Sequence, residues 1–363
     1  MKKSILLLFM GGLFLTSCSD NFSEQQQTAK QNKGKFNVIT YNTANGADGQ
    51  QRIQNPTGTI LSFDSEAEYW ATVDSLEIVQ ENFIDGITRQ YSGSLATLNN
   101  LVESNRIDLY EPLTNFENVY NFRSLRISII ERELLWMQTA LPPYNDNPDI
   151  HPIASPSERC LWNERGEIMI EGKIYKYDDE VTKFIKIDDG SLSKLALINS
   201  GDTGIWQDES VDFIDLIAEM SSANQSGSLC KVATSNYNYE VNGNFVFTSY
   251  VALTRKTWAF GRHKLEANTR LYRRNFSATG LVNQVALLTT HPQGNRYVNC
   301  GTTPSAYSQS KTIAAYSNTV VFRRDNPFGS RIVNGNSSLF CNHSAASSST
   351  NPAFQVILPF YEQ

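Results

Sequence analysis

The chain has 363 residues, 40% of them hydrophobic and 19% charged, and a formal net charge of −6. That composition excludes wholesale disorder, and the length allows one large domain or two ordinary ones with real hydrophobic cores. Charge is spread unevenly: residues 251–363 hold 12 Lys and Arg against Glu266, Asp325 and Glu362, a net of +9, which leaves −15 on residues 1–250. Such asymmetry fits docking of one half on the other with internal neutralisation, and equally a basic face for an anionic partner such as acidic glycan, lipid headgroups or extracellular nucleic acid.

Lys2 and Lys3, an apolar run from Ile5 to Leu15, and the small residues Thr16 and Ser17 before Cys18 follow the order of a secretion signal. The run of about 11 residues is too short for a bilayer core, which takes roughly 20 at about 1.5 Å each, so residues 1–17 read as a removable leader. Leu15-Thr16-Ser17-Cys18 resembles the lipobox of bacterial lipoproteins. The resemblance implies that the Cys18 sulfur receives a diacylglycerol, that the leader is cut before it and that the new amine is acylated, giving two or more chains where one is a marginal anchor. An ordinary signal peptide with a chance cysteine is the alternative. Residues 18–34 are polar and nearly free of core-forming side chains, which reads as a flexible tether. The expected address is the cell envelope, lipid-anchored to a bacterial membrane, in particular the outer one, and facing the periplasm or the cell surface.

Residues 35–225 read as a helical region followed by a β-meander. Ser65 and Glu68 form a capping box that opens a helix, and Tyr69, Trp70, Val73 and Leu76 recur along one face of it. A second helical stretch covers about 82–106 with a break at Tyr91-Ser92-Gly93. A third, about 122–140, carries Leu125, Ile129, Leu134 and Met137 and is stopped by Pro142-Pro143. Residues 167–187 are β-branched and aromatic with turn residues at Glu171-Gly172 and Asp178-Asp179, which predicts consecutive antiparallel strands. A short amphipathic helix is expected near Val211–Met220, and the Ser- and Gly-containing stretch 221–228 marks a domain boundary.

Residues 226–363 read as strands throughout: Phe245–Leu253, Leu265–Tyr272, Val282–Thr289, Ile313–Phe322 and Phe354–Tyr361, separated by loops rich in Gly, Asn, Ser and Pro. Short strands at that density predict a sandwich-like domain, so the fold class is α+β with an all-β C-terminal part.

Gly166-Glu167-Ile168, Ile170, Gly172 and Ile174-Tyr175-Lys176-Tyr177 resemble a segment that recurs in exported Bacteroidota lipoproteins carrying domains of unknown function. The stretch FDSEAEYWATVDSL at 63–76 is similar to one that precedes it in those proteins. The likeness covers roughly the first 200 residues. It implies a location and a helix-then-meander layout, and assigns no activity or catalytic residue.

Cys160, Cys230, Cys300 and Cys341 remain beyond Cys18, an even number that suggests two disulfides in an exported protein. Cys300 with Cys341 and Cys160 with Cys230 are the expected pairs, and four buried thiols are the alternative. Spacings of 70, 70 and 41 residues match no zinc pattern.

The chain carries no GxSxG, HExxH, P-loop or strand-linked GxGxxG motif, so no catalytic residue, metal or cofactor is expected. His151, His263, His291 and His343 are far apart, with His263 near Glu266 as the one candidate base. Residues Tyr144 to Asp149 (YNDNPD) offer closely spaced oxygens for calcium, or an Asx turn. Between Arg255 and Arg274 seven basic residues stand against one acid, interleaved with aromatics. Trp258, Arg262, His263, Lys264, Arg270, Tyr272 and Arg273 are therefore the candidate binding residues, on a strand whose alternation would give one wet basic face. Trp162, Trp206 and Trp258 are candidates for stacking on sugar rings.

The expected function is that of a non-enzymatic lipoprotein whose β domain binds a glycan or another envelope protein, with nucleic acid not an expected partner. The alternatives are a carboxylate-dependent extracytoplasmic hydrolase such as a glycosidase, and a purely structural envelope component.

Overall fold

The computed structural model describes residues 36–42, 57–179, 182–214, 234–254, 263–275, 280–297, 304–324, 339–346 and 354–360. The leader, Cys18, the tether and the stretch 221–228 lie outside the described residues. The fold is mixed α+β with a β-rich C-terminal half.

Strands β1 (Phe36–Asn42), β2 (Thr57–Phe63), β3 (Glu167–Ile170), β4 (Lys173–Asp178), β5 (Lys183–Ile187) and β6 (Val211–Ile214) form one sheet in that order. Neighbours are antiparallel except β2 and β3, which run parallel because the helices between them carry the chain back across the sheet. The expected meander is thus the centre of a larger sheet. The helix expected near Val211–Met220 is corrected over Val211–Ile214, where the chain bonds to β5 as an edge strand; four residues of apolar pattern suit either period.

Helices α1 (Glu66–Tyr91), α2 (Leu95–Glu103), α3 (Glu111–Tyr120), α4 (Leu125–Thr139) and α5 (Pro156–Arg159) lie between β2 and β3. The Ser65 hydroxyl accepts the Glu68 N–H at 3.2 Å, so α1 opens at the expected cap. It runs on without the expected division and ends at Tyr91, beside the break foreseen there. Helix α3 was not foreseen.

Period two sorts the sheet's side chains onto two layers. Leu61, Phe63, Ile168, Ile170, Tyr175 and Phe184 pack with Tyr69, Trp70, Val73, Leu125 and Ile129 around the fully buried Trp162. Ile60, Met169, Ile174, Ile185 and Ile187 face the other way, onto Leu195 and Ile198 of α6 (Leu192–Asn199) and Ile205 of a 3-10 turn (Thr203–Gln207). The segment that resembles the Bacteroidota lipoproteins has a structural job. Asn163 accepts the N–H groups of Arg165 and Glu167, and the buried Glu167 carboxylate takes bonds from Tyr41, Asn163 and Asn199, tying β1, β3 and α6 together. Gly166 between them has φ +71°, and a Cβ there would lie 2.9 Å from the Tyr177 carbonyl oxygen.

Beyond the sheet, β7 (Thr234–Asn242), β8 (Phe245–Thr254), β9 (His263–Arg274) and β10 (Leu281–Asn283) pair in the order β10-β9-β8-β7. Strand β11 (Ala286–Tyr297) belongs to a second sheet with β12 (Pro304–Ser308), β13 (Lys311–Ala315), β15 (Phe340–Ala346) and β16 (Phe354–Pro359), while β14 (Ser317–Arg324) returns to β9. Phe247, Val251, Leu265 and Leu271 of the first sheet share a core with Leu288, Cys341, Val356 and Leu358 of the second. The expected strand at 313–322 is two, β13 and β14, meeting at Tyr316.

Two apolar clusters join the halves. Ile84, Ile87, Leu95 and Leu98 meet Val285, Ile313 and Ala314, and Met137, Ala140 and Tyr144 meet Val246, Tyr272 and Leu281. A Cβ on Gly280 would lie 2.5 Å from the Met137 carbonyl oxygen, which shows how closely the backbones approach.

Candidate functional site

Between those clusters lies a buried ionic junction. Arg270 on β9 reaches across to Glu133 of α4 at 2.6 Å and to Asp149 at 2.9 Å. Arg159 of α5 also bonds to the Asp149 carboxylate and donates to the Asp149 and Ile153 carbonyls. Tyr272 donates to Glu133 at 3.0 Å and accepts from Asn147 at 2.6 Å. Burial pushes the Glu133 carboxyl up against the pull of Arg270. Burial also opposes ionisation of Asp149, but Arg270 and Arg159 outweigh it and hold that carboxyl below its ordinary range. Burial drives the neighbouring Tyr110 phenol up to about 12.

Two carboxyls pushed in opposite directions have the electrostatics of an acid and a base. Here both are engaged by the same guanidinium, with the side chains of Arg270, Glu133 and Asp149 4%, 6% and 18% exposed, so the two carboxyls are committed to Arg270. More exposed pairs, Arg273 with Glu103 and Lys311 with Glu81, also cross between the halves, each at 3.0 Å. Basic residues of the C-terminal half thus meet acids of the N-terminal half, as docking with internal neutralisation requires.

At Arg270 and Tyr272 this placement differs from the expected wet basic face. Strand β9 does alternate, with Leu265, Ala267 and Leu271 in the core between the sheets. Its other face is buried as well, because β9 lies inside its sheet and is covered by α4; Arg270 and Tyr272 are both inside. Arg273 alone of the described candidates is well exposed, and it is paired. His263 and Lys264 stand on β9 opposite Arg324 and Arg323 of β14, but their side chains, like the whole of Trp258 and Arg262, lie outside what is described.

The expected disulfides are not seen among the described residues: Cys160 and Cys341 are free, buried thiols there, and Cys230 and Cys300, the partners expected for them, lie outside the described residues. The Cys160 sulfur sits 3.4 Å from Glu117, which is itself ion-paired to Arg126, and burial pushes both thiols up, away from nucleophilic use.

The oxygens of 144–149 are already committed. Asn147 accepts the Asp149 N–H at 2.9 Å, an Asx turn; Asp146 takes the Trp136 indole N–H, and Asp149 is held by arginines. His151 and His343 are buried apart from each other, held neutral by burial with pKa values pulled down to about 4 and about 3. Among the described residues no group of three His, Cys, Asp or Glu side chains gathers to hold a metal.

A cleft of about 90 Å³ opens between α1 and β13–β14, lined by Gln80, Glu81, Tyr110, Lys311 and Tyr316 among others. That is room for a few waters, well short of the roughly 300–1,000 Å³ of an ordinary ligand pocket.

Of the tryptophans raised as sugar platforms, Trp162 is core and Trp258 lies outside the described residues. Trp206 is 38% exposed and packs against Phe213, 42% exposed, with ring centroids 4.6 Å apart and the ring planes tilted by 31°. The Lys183 ammonium lies 5.7 Å from the Phe213 ring centroid. Phe213 was missed as a partner because Val211–Ile214 read as helix, where it would not sit across from β5; a period-two reading would have found it.

No family model matches this chain, and no curated protein matches it. A solved structure, that of a DUF4848 family protein from Bacteroides thetaiotaomicron, is similar over 83% of this chain and 96% of its own, with 10% identity and a TM-score of 0.19.

Proposed function

We propose that this chain is a lipid-anchored envelope protein that binds a glycan without turning it over. The observation that carries this reading is the division of its chemical groups. The carboxylates and arginines suited to acid–base work are consumed in holding the halves together, while aromatic rings stand open at a sheet edge. The address rests on the leader and on Cys18, whose acylation would hold the protein at the membrane behind the tether of residues 18–34. No helix among the described residues is long and apolar enough to cross a membrane. The two C-terminal sheets, sharing one core, act in it as a sandwich-like module that stiffens the whole.

The test is retention of the full chain by a panel of polysaccharides at low and high salt, with release of soluble sugar measured alongside. Retention without release is expected. Steady release that scales with enzyme concentration would overturn the non-enzymatic reading in favour of a hydrolase, and retention by none of the panel would remove glycan as the ligand.

A further inference from the structure

We propose that Trp206 and Phe213 form a stacking platform for an uncharged pyranose unit of a polysaccharide; this deepens the glycan-binding reading and rests on it. The platform is built before any ligand arrives. Trp206 follows Ile205, which is anchored in the apolar layer beneath the sheet, and the 3-10 turn carrying both is capped by Asp202, which accepts the Gly204 N–H at 2.8 Å. The next turn is pinned by Asp208, which accepts from Ser210 N–H at 2.9 Å and pairs with Lys194. Phe213 stands directly across from the buried Ile185 in the β5–β6 register. Rings fixed in this way lose little freedom when a ligand stacks on them.

Size and charge narrow the ligand. An aromatic side chain offers about 150–250 Å² in all, so two rings roughly two-fifths exposed present on the order of 150 Å², far below the ~800 Å² per side of a stable protein interface. The C–H face of one sugar ring matches that area, and aromatic faces with a few polar neighbours are what orient such ligands. Around the rings Asp208 and Asp212 are ion-paired to Lys194 and Lys186, Glu209 adds a negative charge and Lys183 is the cation at Phe213, so an acidic sugar would meet no net positive field.

The experiment is affinity electrophoresis of the full chain through gels holding xylan, mannan, a mixed-linkage β-glucan, an α-glucan or polygalacturonate. Retardation by at least one neutral polysaccharide is expected, falling tenfold or more in Trp206→Ala and in Phe213→Ala and largely kept in Trp206→Phe, with each variant folded by circular dichroism. If Trp206→Ala does not fold, Trp206→Gln and Phe213→Leu, which keep bulk without a ring, decide the matter. Unchanged retardation in the ring-less variants overturns the platform but leaves glycan binding standing. Retardation by polygalacturonate alone overturns the uncharged ligand, and sugar release by wild type overturns the non-enzymatic reading while the platform survives.

Discussion

The junction between the halves and the outer edge of the six-stranded sheet both hold side chains of the kinds that do chemistry, and they use them in opposite ways. At the junction Arg270, Arg159, Glu133 and Asp149 are largely buried and ion-paired to one another, so their energy goes into joining two surfaces of opposite charge. At the edge Trp206 and Phe213 are fixed by their neighbours yet keep part of their faces in water. Residue type alone does not separate these roles. What separates them is whether the strand beneath is covered on both faces, as β9 is, or ends a sheet, as β6 does.

The comparison breaks most visibly at Arg270. Arg270→Met leaves Glu133 buried beside no cation and should cost ~3–5 kcal/mol in urea unfolding. Adding Glu133→Leu should restore much of that, because Asp149 keeps Arg159 and the remaining site is apolar. No recovery would mean that the ions are not acting as a pair.

Acid should loosen the interior before it touches the edge. His151 and His343 have folded pKa values of about 4 and about 3, below an unfolded value of about 6.5. The unfolded chain therefore binds more protons below about pH 6.5, and stability falls as pH drops, by on the order of 1.4 kcal/mol per pH unit for each imidazole until its folded value is reached. Urea midpoints taken from pH 7 to pH 5 should show that slope, and His343→Gln should remove one imidazole's share.

Smaller effects sharpen the contrast. Trp206→Ala should cost ~1 kcal/mol of stability, since part of the ring is already wet, while abolishing most binding. Lys311→Ala, at an exposed crossing pair, should cost under ~1 kcal/mol and lose even that at high salt.

Much of the layout was legible. The Ser65 cap, the meander with its turn at Glu171-Gly172, and the C-terminal strands all carry local signals, which is why they could be read. Strands β1 and β2 escaped because each is defined by pairing, with β2 taking a partner more than a hundred residues away in β3. The site was far less legible. Arg270 and Tyr272 look like a surface pattern until α4 is laid over them, and the carboxyls that meet Arg270, Glu133 and Asp149, come from segments with no signal linking them to it. Trp206 could be named from sequence; its partner Phe213 depended on the strand that placed it.

The most direct test of the division between a spent junction and an open edge is the dissociation constant for a retained polysaccharide from about 0.05 to about 0.5 M NaCl, across which exposed charges are progressively screened. Stacking on Trp206 and Phe213 predicts a constant nearly independent of salt. A steep loss of affinity with salt would contradict the account, because it would mean that basic side chains, and not the aromatic edge, hold the ligand.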